Sequence, residues 1–167
     1  MDGLERYQTG WRRFFAAILD GILLGAASGI LHFLSGRDLG EFDLVQILYT
    51  VLLTWRWAGT PGKLVLNLNV VDHKTEQPIS LKQSCLREIG TIVFLFLGIS
   101  ISLLSGRSLG ATWDVTVHAL NAASSMGASL WILVEILSML TDPKRRAIHD
   151  RIAGTVVIKT ELAGELL

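Results

Sequence analysis

The 167-residue chain has little charge, a single cysteine and none of the common catalytic signatures. The lone Cys85 excludes an internal disulfide and a multi-cysteine metal site. Basic and acidic residues balance to a net charge of zero, which gives no reason to expect nucleic acid as a partner. The histidines show no HExxH or other metal-ligand spacing, and no GxSxG nucleophile motif is present. We therefore expect no enzyme activity, no metal site and no cofactor.

One short stretch, Thr60-Pro61-Gly62-Lys63, resembles the end of a phosphate-binding loop. The loop needs a glycine five residues before Gly62, where Trp57 stands, and a serine or threonine after the lysine, where Leu64 stands. A phosphate-binding role is therefore not expected of this stretch.

What the chain has in abundance is hydrophobic residues, which make up half of it, and its mean hydropathy is +0.47. An α-helix needs about 20 apolar residues to cross a bilayer. Four apolar segments approach that length, at 14–34, 42–58, 89–104 and 119–140. The third is short and needs its flanking residues, or a thinned bilayer, to span. The sequence predicts an all-α membrane protein with four transmembrane helices in a bundle and the bilayer as its environment.

The positive charges predict an orientation. Of the 15 lysines and arginines, 13 lie before the first segment, from the end of the second segment to the start of the third, or after the fourth, whereas only Arg37 and Arg107 lie on the other two connections. Connections rich in lysine and arginine stay in the cytoplasm. We expect a multi-pass protein of a bacterial cytoplasmic membrane with both termini cytoplasmic, and removing any one crossing would spoil this partition.

Two β-branched runs on the cytoplasmic side predict a small β-like cap. Apolar residues alternate from Leu64 to Val71 with the period of two that is typical of a strand, and a turn follows. A second run covers residues 154–159. We expect the two runs to pair within a single membrane domain of residues 1–160, followed by a short tail at 161–167.

Asp20 is the most informative residue because it interrupts the otherwise uncharged first segment. It lies six residues after Phe14, about 9 Å into the membrane, and Glu135 lies at nearly the same depth on the antiparallel fourth helix. An ionisable group at this depth needs a protein or water partner. One interpretation is that both carboxylates share a site that couples a proton to a cation. The other is that they are structural groups on helices that never meet.

Several arginines are candidate partners for a polar network. Arg56, near the end of the second segment, is a candidate partner for Asp20, and Arg13 lies two turns before Asp20 on the same helix face. In the basic tail, Arg146 belongs to a cluster that suits anionic headgroups. Asp150 is an acid in that basic setting, so we expect it to pair with Arg13 at the cytoplasmic interface.

Gly21, Gly25 and Gly29 recur at four-residue spacing in the first segment and place small residues along one helix face. Such a face lets another helix approach closely. The partner helix belongs either to the same bundle or to a second copy of the chain in a homo-oligomer.

Three blocks together resemble the RDD family of small prokaryotic membrane proteins, named for one arginine and two aspartates. The blocks occur in the family's order along nearly the whole chain. They cover Arg13 to Asp20, Gly59 to Lys63 with Val70 to Asp72 and Arg87, and Arg146 to Val157. The resemblance implies that Arg13, Asp20 and Asp150 are the three residues for which the family is named.

The resemblance also implies transport, including the exchange of a monovalent cation for a proton. In this hypothesis Asp20 is the carboxylate that both ions share, Glu135 is a second ligand and Arg13 with Asp150 is a cytoplasmic latch. The alternative hypothesis is a non-catalytic membrane scaffold or partner-binding module, in which the same arginines and aspartates form a structural polar network.

Overall fold

A computed structural model describes residues 5–35, 42–106 and 111–160 and shows a mostly helical protein. After a single 3₁₀ turn at Glu5–Tyr7, the helices and strands follow in the order α1 Gly10–Ser35, α2 Phe42–Trp57, α3 Pro61–Val65, β1 Leu68–Asp72, α4 Leu81–Arg87, α5 Ile89–Ser105, α6 Ala111–Thr141, α7 Ile148–Ala153 and β2 Thr155–Lys159.

Two stretches, Glu5–Leu34 and Thr112–Thr141, are long and apolar enough to cross a membrane. A third span results if α4 and α5, which meet at a bend of 59°, are counted together. With 16 residues, α2 is shorter than a typical crossing. The structure therefore provides two candidate spans, or three if α4 and α5 form a single one. The crossing predicted at 42–58 stays a prediction.

The long helices expose large apolar side chains, such as Phe33, Phe96 and Leu103, which are 64–86% accessible. Lipid can cover such side chains without the cost that water would impose. The tightly packed part of the protein lies instead in the small two-stranded cap and the short helices around it.

The two strands of the cap pair antiparallel, from Leu68 opposite Lys159 to Asp72 opposite Thr155. One face of the sheet packs Leu68, Val70 and Val157 against Ala16 of α1. The predicted pairing of the two β-branched runs is thus present, and it ties the segment before α4 to the end of the described chain.

The strand prediction is wrong for the first part of its run. Residues Pro61–Val65 form helix α3, and β1 begins only at Leu68. Thr60 is the N-cap with extended backbone, and Pro61 at the first turn has the φ angle that a helix needs. Asn67, with φ +55°, then turns the chain into the strand. These local signals override the alternation of apolar residues.

Two helices begin earlier than the sequence indicates. Helix α1 starts at Gly10 rather than Phe14, and α6 starts at Ala111 rather than near residue 119. Both early turns contain polar residues, such as Arg12 and Asp114, which break the apolar pattern without preventing helix formation.

Candidate functional site

The Asp20 carboxylate is held by three neutral hydrogen-bond donors, two of which come from the Thr60–Gly62 turn. Oδ2 accepts from the Thr60 hydroxyl at 2.5 Å, and Oδ1 accepts from the Gly62 amide at 2.8 Å and from the Tyr49 hydroxyl at 3.3 Å. Since Gly62 is in the first turn of α3, Asp20 satisfies one of the amides that the start of a helix leaves unpaired. The carboxylate joins α1 to α2 and α3.

Gly62 lies so close to α1 that no other residue fits. A Cβ atom at this position would lie 2.3 Å from the backbone oxygen of Ala16 and 2.9 Å from Cγ of Asp20. Ala16 itself is fully buried. The absence of a side chain at Gly62 therefore permits the amide to reach the carboxylate.

Among the residues that the structure describes, no lysine, arginine or histidine forms an ion pair with Asp20. Arg56, the cationic partner considered from the sequence, is exposed at the end of α2, and the donors to Asp20 come from Tyr49, Thr60 and Gly62 instead. The carboxylate is thus stabilised by the dipoles of neutral groups. When it is ionised, no cation among the described residues offsets its negative charge.

Glu135 does not share these partners. Its Oε2 lies 2.5 Å from Nδ1 of His149, and its Oε1 accepts from the His149 amide at 3.2 Å. The two carboxylates of the long apolar helices therefore have different partners: Asp20 contacts α2 and α3, and Glu135 contacts the start of α7.

Asp150 is completely buried between two guanidinium groups. Its Oδ2 lies 2.5 Å from Nη2 of Arg13 and accepts from the Ala147 amide at 3.1 Å, while its Oδ1 accepts from Arg87. Arg87 also donates to the Thr155 hydroxyl at 2.6 Å. The predicted Arg13–Asp150 contact is present, and the carboxylate connects α1, α4, α7 and β2.

The charges of Arg13 and Arg87 determine the protonation state of Asp150. Burial alone would raise the pKa of this carboxyl, but the guanidinium groups of Arg13 and Arg87 hold it well below its usual range. Burial, followed by repulsion from Arg87 and Arg13, lowers the pKa of the nearby Lys63 to about 8. Asp150 is therefore ionised at neutral pH and serves as the counter-charge of a cationic cluster.

Arg146 stands outside this network. It pairs with Asp142 four residues earlier, at 3.1 Å, and its side chain is partly exposed. The contact stays within the connection between α6 and α7 and does not reach Asp20 or Asp150.

The glycine face of α1 is uncovered. A Cβ atom at Gly21, Gly25 or Gly29 would meet nothing within 4 Å among the described residues. Packing of this face against another described helix of the same chain, one of the two interpretations of the sequence, is therefore not seen.

Sequence reasoning missed most partners of the two aspartates. Thr60 and Gly62 were considered as a phosphate loop and as part of the family resemblance, and Arg87 was noted as part of the same resemblance. For Arg87 the available signal was its charge within a family block, since a buried arginine requires a carboxylate. Thr60 and Gly62 are neutral and carry no such signal. No cluster of three or more His, Cys, Asp or Glu side chains suited to a metal occurs in the described ranges.

Comparison with protein-family models gives a match to the model described as the RDD family over residues 7–154. This range contains Arg13, Asp20 and Asp150 together with the Thr60–Gly62 turn and Arg87. No curated protein matches the chain.

Proposed function

The chain belongs to the RDD family, and from this premise we propose that it exchanges a monovalent cation for a proton across a bacterial cytoplasmic membrane through Asp20. The apolar helices fit a membrane protein of this family. In the proposal the chain crosses the membrane four times with both termini in the cytoplasm, in agreement with the partition of its positive charges.

The observation that carries the proposal is the difference between the partners of Asp150, which is buried, and those of Asp20, which is partly buried. Asp150 is neutralised by two arginines, whereas Asp20 is held only by neutral donors within the described chain. An intramembrane carboxylate with no fixed counter-charge attracts a mobile one, which is either a proton or a cation. The oxygens of Thr60 and Tyr49 beside it are hard ligands of the kind that such cations prefer.

Exchange follows if the proton and the cation compete for this carboxylate. Protonation removes the negative charge that holds the cation, and cation binding displaces the proton, so each ion drives release of the other. Four helices enclose little space for a pathway, and the proposal therefore includes a homo-oligomer.

We expect Asp20→Asn to abolish cation-dependent proton flux while leaving the fold intact. An asparagine can still accept from the Gly62 amide and donate to the Thr60 hydroxyl, but it cannot carry charge or exchange a proton. Flux is measured in proteoliposomes with a pH-sensitive dye after addition of Na⁺, K⁺ or Li⁺. Glu135→Gln is the matched control, because Glu135 contacts His149 instead, and a loss of flux there would place Glu135 in the mechanism.

A second candidate function is a membrane scaffold in which Asp20 only anchors α3. It is favoured by the complete pairing of the carboxylate oxygens with protein donors. In that case the wild type shows no flux, Asp20→Asn melts close to the wild type, and Asp20→Ala loses both hydrogen bonds to the turn and melts lower. Flux by the wild type that survives Asp20→Asn would contradict the proposed role of Asp20.

The open glycine face gives a test of the oligomer. A Cβ atom at Gly25 would meet nothing within 4 Å among the described residues, so Gly25→Ile is expected to leave the monomer folded and to prevent close approach of a second α1. The measurement is chemical cross-linking in membranes, where the variant should lose the dimer band. An unchanged band would place the contact between copies elsewhere.

A further inference from the structure

A crevice of about 830 Å³ opens between the first turns of α1 and the last turns of α6. Trp11 and Phe14 line it from α1, and Ile136 and Leu140 line it from α6. These side chains are 45–80% exposed, so the crevice is open to its surroundings.

The polar end of the crevice carries two arginines without a carboxylate partner among the described residues. Arg12 donates only to the Leu66 carbonyl, at 3.3 Å, and Arg145 only to the Leu140 carbonyl, at 2.9 Å. A guanidinium has five N–H donors, so most of the donors on each remain available. Arg13, the other arginine here, is engaged by Asp150.

Glu135 also lines the crevice, but its carboxylate is paired with His149 at 2.5 Å. Arg12 and Arg145 outnumber this single carboxylate, so the net charge of the polar end is positive. The same crevice has apolar walls, which include Phe14 and Ile136. Trp11 also lines it, and amphipathic rings of this kind favour the headgroup region of a membrane.

We propose that this crevice binds an anionic phospholipid, with its phosphate between Arg12 and Arg145 and an acyl chain along Phe14 and Ile136. Basic pockets between helices at the cytoplasmic membrane surface bind acidic headgroups. A free anion would use the arginines but not the apolar walls, and an apolar partner would use the walls but not the arginines. Only an amphipathic anion matches both. The inference requires that α1 and α6 lie in a membrane, but it does not require transport.

The test uses the full chain, purified in detergent and titrated with phosphatidylglycerol or with phosphatidylcholine of the same acyl chains, with bound lipid counted by native mass spectrometry. We expect the wild type to retain phosphatidylglycerol preferentially. Arg12→Gln combined with Arg145→Gln should weaken this binding roughly thirtyfold, from the contribution of two basic groups. Lys82→Gln combined with Arg151→Gln, at two exposed basic positions that do not line the crevice, should leave it unchanged.

Equal binding of the two lipids by the wild type, or wild-type affinity in the Arg12→Gln/Arg145→Gln variant, would overturn the proposal. Displacement of the lipid by millimolar inorganic phosphate would reassign the crevice to a soluble anion. If the arginine variant does not fold, Ile136→Trp provides the second test. It adds bulk at a half-exposed position and should exclude the acyl chain, and undiminished phosphatidylglycerol binding by that variant would equally contradict the assignment.

Discussion

Replacing Asp150 with asparagine is expected to lower the free energy of unfolding by about 3–5 kcal/mol, because removing one partner leaves the others as uncompensated buried charges. The side chains of Arg13 and Arg87 are only 10% and 4% exposed. Asparagine has nearly the same volume and can still accept from the Ala147 amide, so the loss reports the charge. The measurement is denaturant unfolding of the full chain in detergent micelles, followed by circular dichroism.

Glu76→Gln is the matched control for this charge removal. Glu76 pairs with Arg6 at 2.8 Å, but both side chains are about a third exposed, at 32% and 39%. Exposed ion pairs contribute about 0–1 kcal/mol, so this variant should unfold close to the wild type. Equal losses in the two variants would show that burial does not increase the contribution of the Asp150 ion pairs to stability.

Low pH should destabilise the wild type in the way that Asp150→Asn does, because it protonates the Asp150 carboxylate. Since the two arginines lower the pKa of Asp150 in the folded protein, its contribution to stability is complete above the unfolded value of 3.8. It is lost as the pH falls below that value and through the folded pKa. The melting temperature of the wild type should therefore fall more steeply below about pH 4 than that of Asp150→Asn, which has no carboxyl to protonate at this position.

A second substitution separates charge from packing. Adding Arg13→Gln to Asp150→Asn removes one of the two stranded guanidinium groups, so the double variant should lose less stability than the sum of the two single variants. Strict additivity would mean that Arg13 and Asp150 stabilise the protein independently of each other.

The contact between Arg13 and Asp150 could be predicted from the sequence because the positive charges place both residues on the same predicted side of the apolar segments. The pairing of β1 with β2 was predictable for a related reason, since both runs are predicted on that side and are rich in β-branched residues. In each case, the predicted topology restricts the possible partners to one side. Arg87 lies in the same region, but its role depends on the short helix α4, which has no strong sequence pattern.

The partners of Asp20 could not be predicted in the same way. A carboxylate in an apolar segment suggests a cationic partner, and both Arg56 and a shared site with Glu135 follow from that expectation. The structure instead supplies a hydroxyl and an amide from a turn 40 residues away. Neutral donors leave no charge pattern, and the close packing of α3 on α1 depends on tertiary contacts that periodicity does not encode.

The two aspartates therefore have different roles in the proposed mechanism. Asp150 has a fixed counter-charge and joins the cap to Arg13 near the start of α1. Asp20, further along α1, is held by Tyr49, Thr60 and Gly62 and has no ion-pair partner among the described residues. In the proposed mechanism, the network around Asp150 maintains the fold while Asp20 changes its bound ion.

Replacing Gly62 with alanine is expected to lower the free energy of unfolding by about 2.5–6 kcal/mol, combining overpacking of about 1–3 kcal/mol with loss of a charged hydrogen bond of about 1.5–3 kcal/mol. The new Cβ would lie 2.3 Å from the Ala16 backbone oxygen. Backbone atoms of α1 cannot move aside as a flexible side chain could, so α3 must shift and its amide must leave Asp20. Chemical unfolding in detergent, together with the flux assay, measures both consequences.

Gly98→Ala is the control, because it makes the same change within α5, where a Cβ would meet nothing within 4 Å. It should be neutral or stabilising by about 0.5–1 kcal/mol, since alanine favours a helix more than glycine does. In an Asp20→Ala background, Gly62→Ala should cost less, because the hydrogen bond is already absent and only the overlap with Ala16 remains. If Gly62→Ala folds and transports like the wild type, the close approach of α3 to α1 has no role in either stability or exchange.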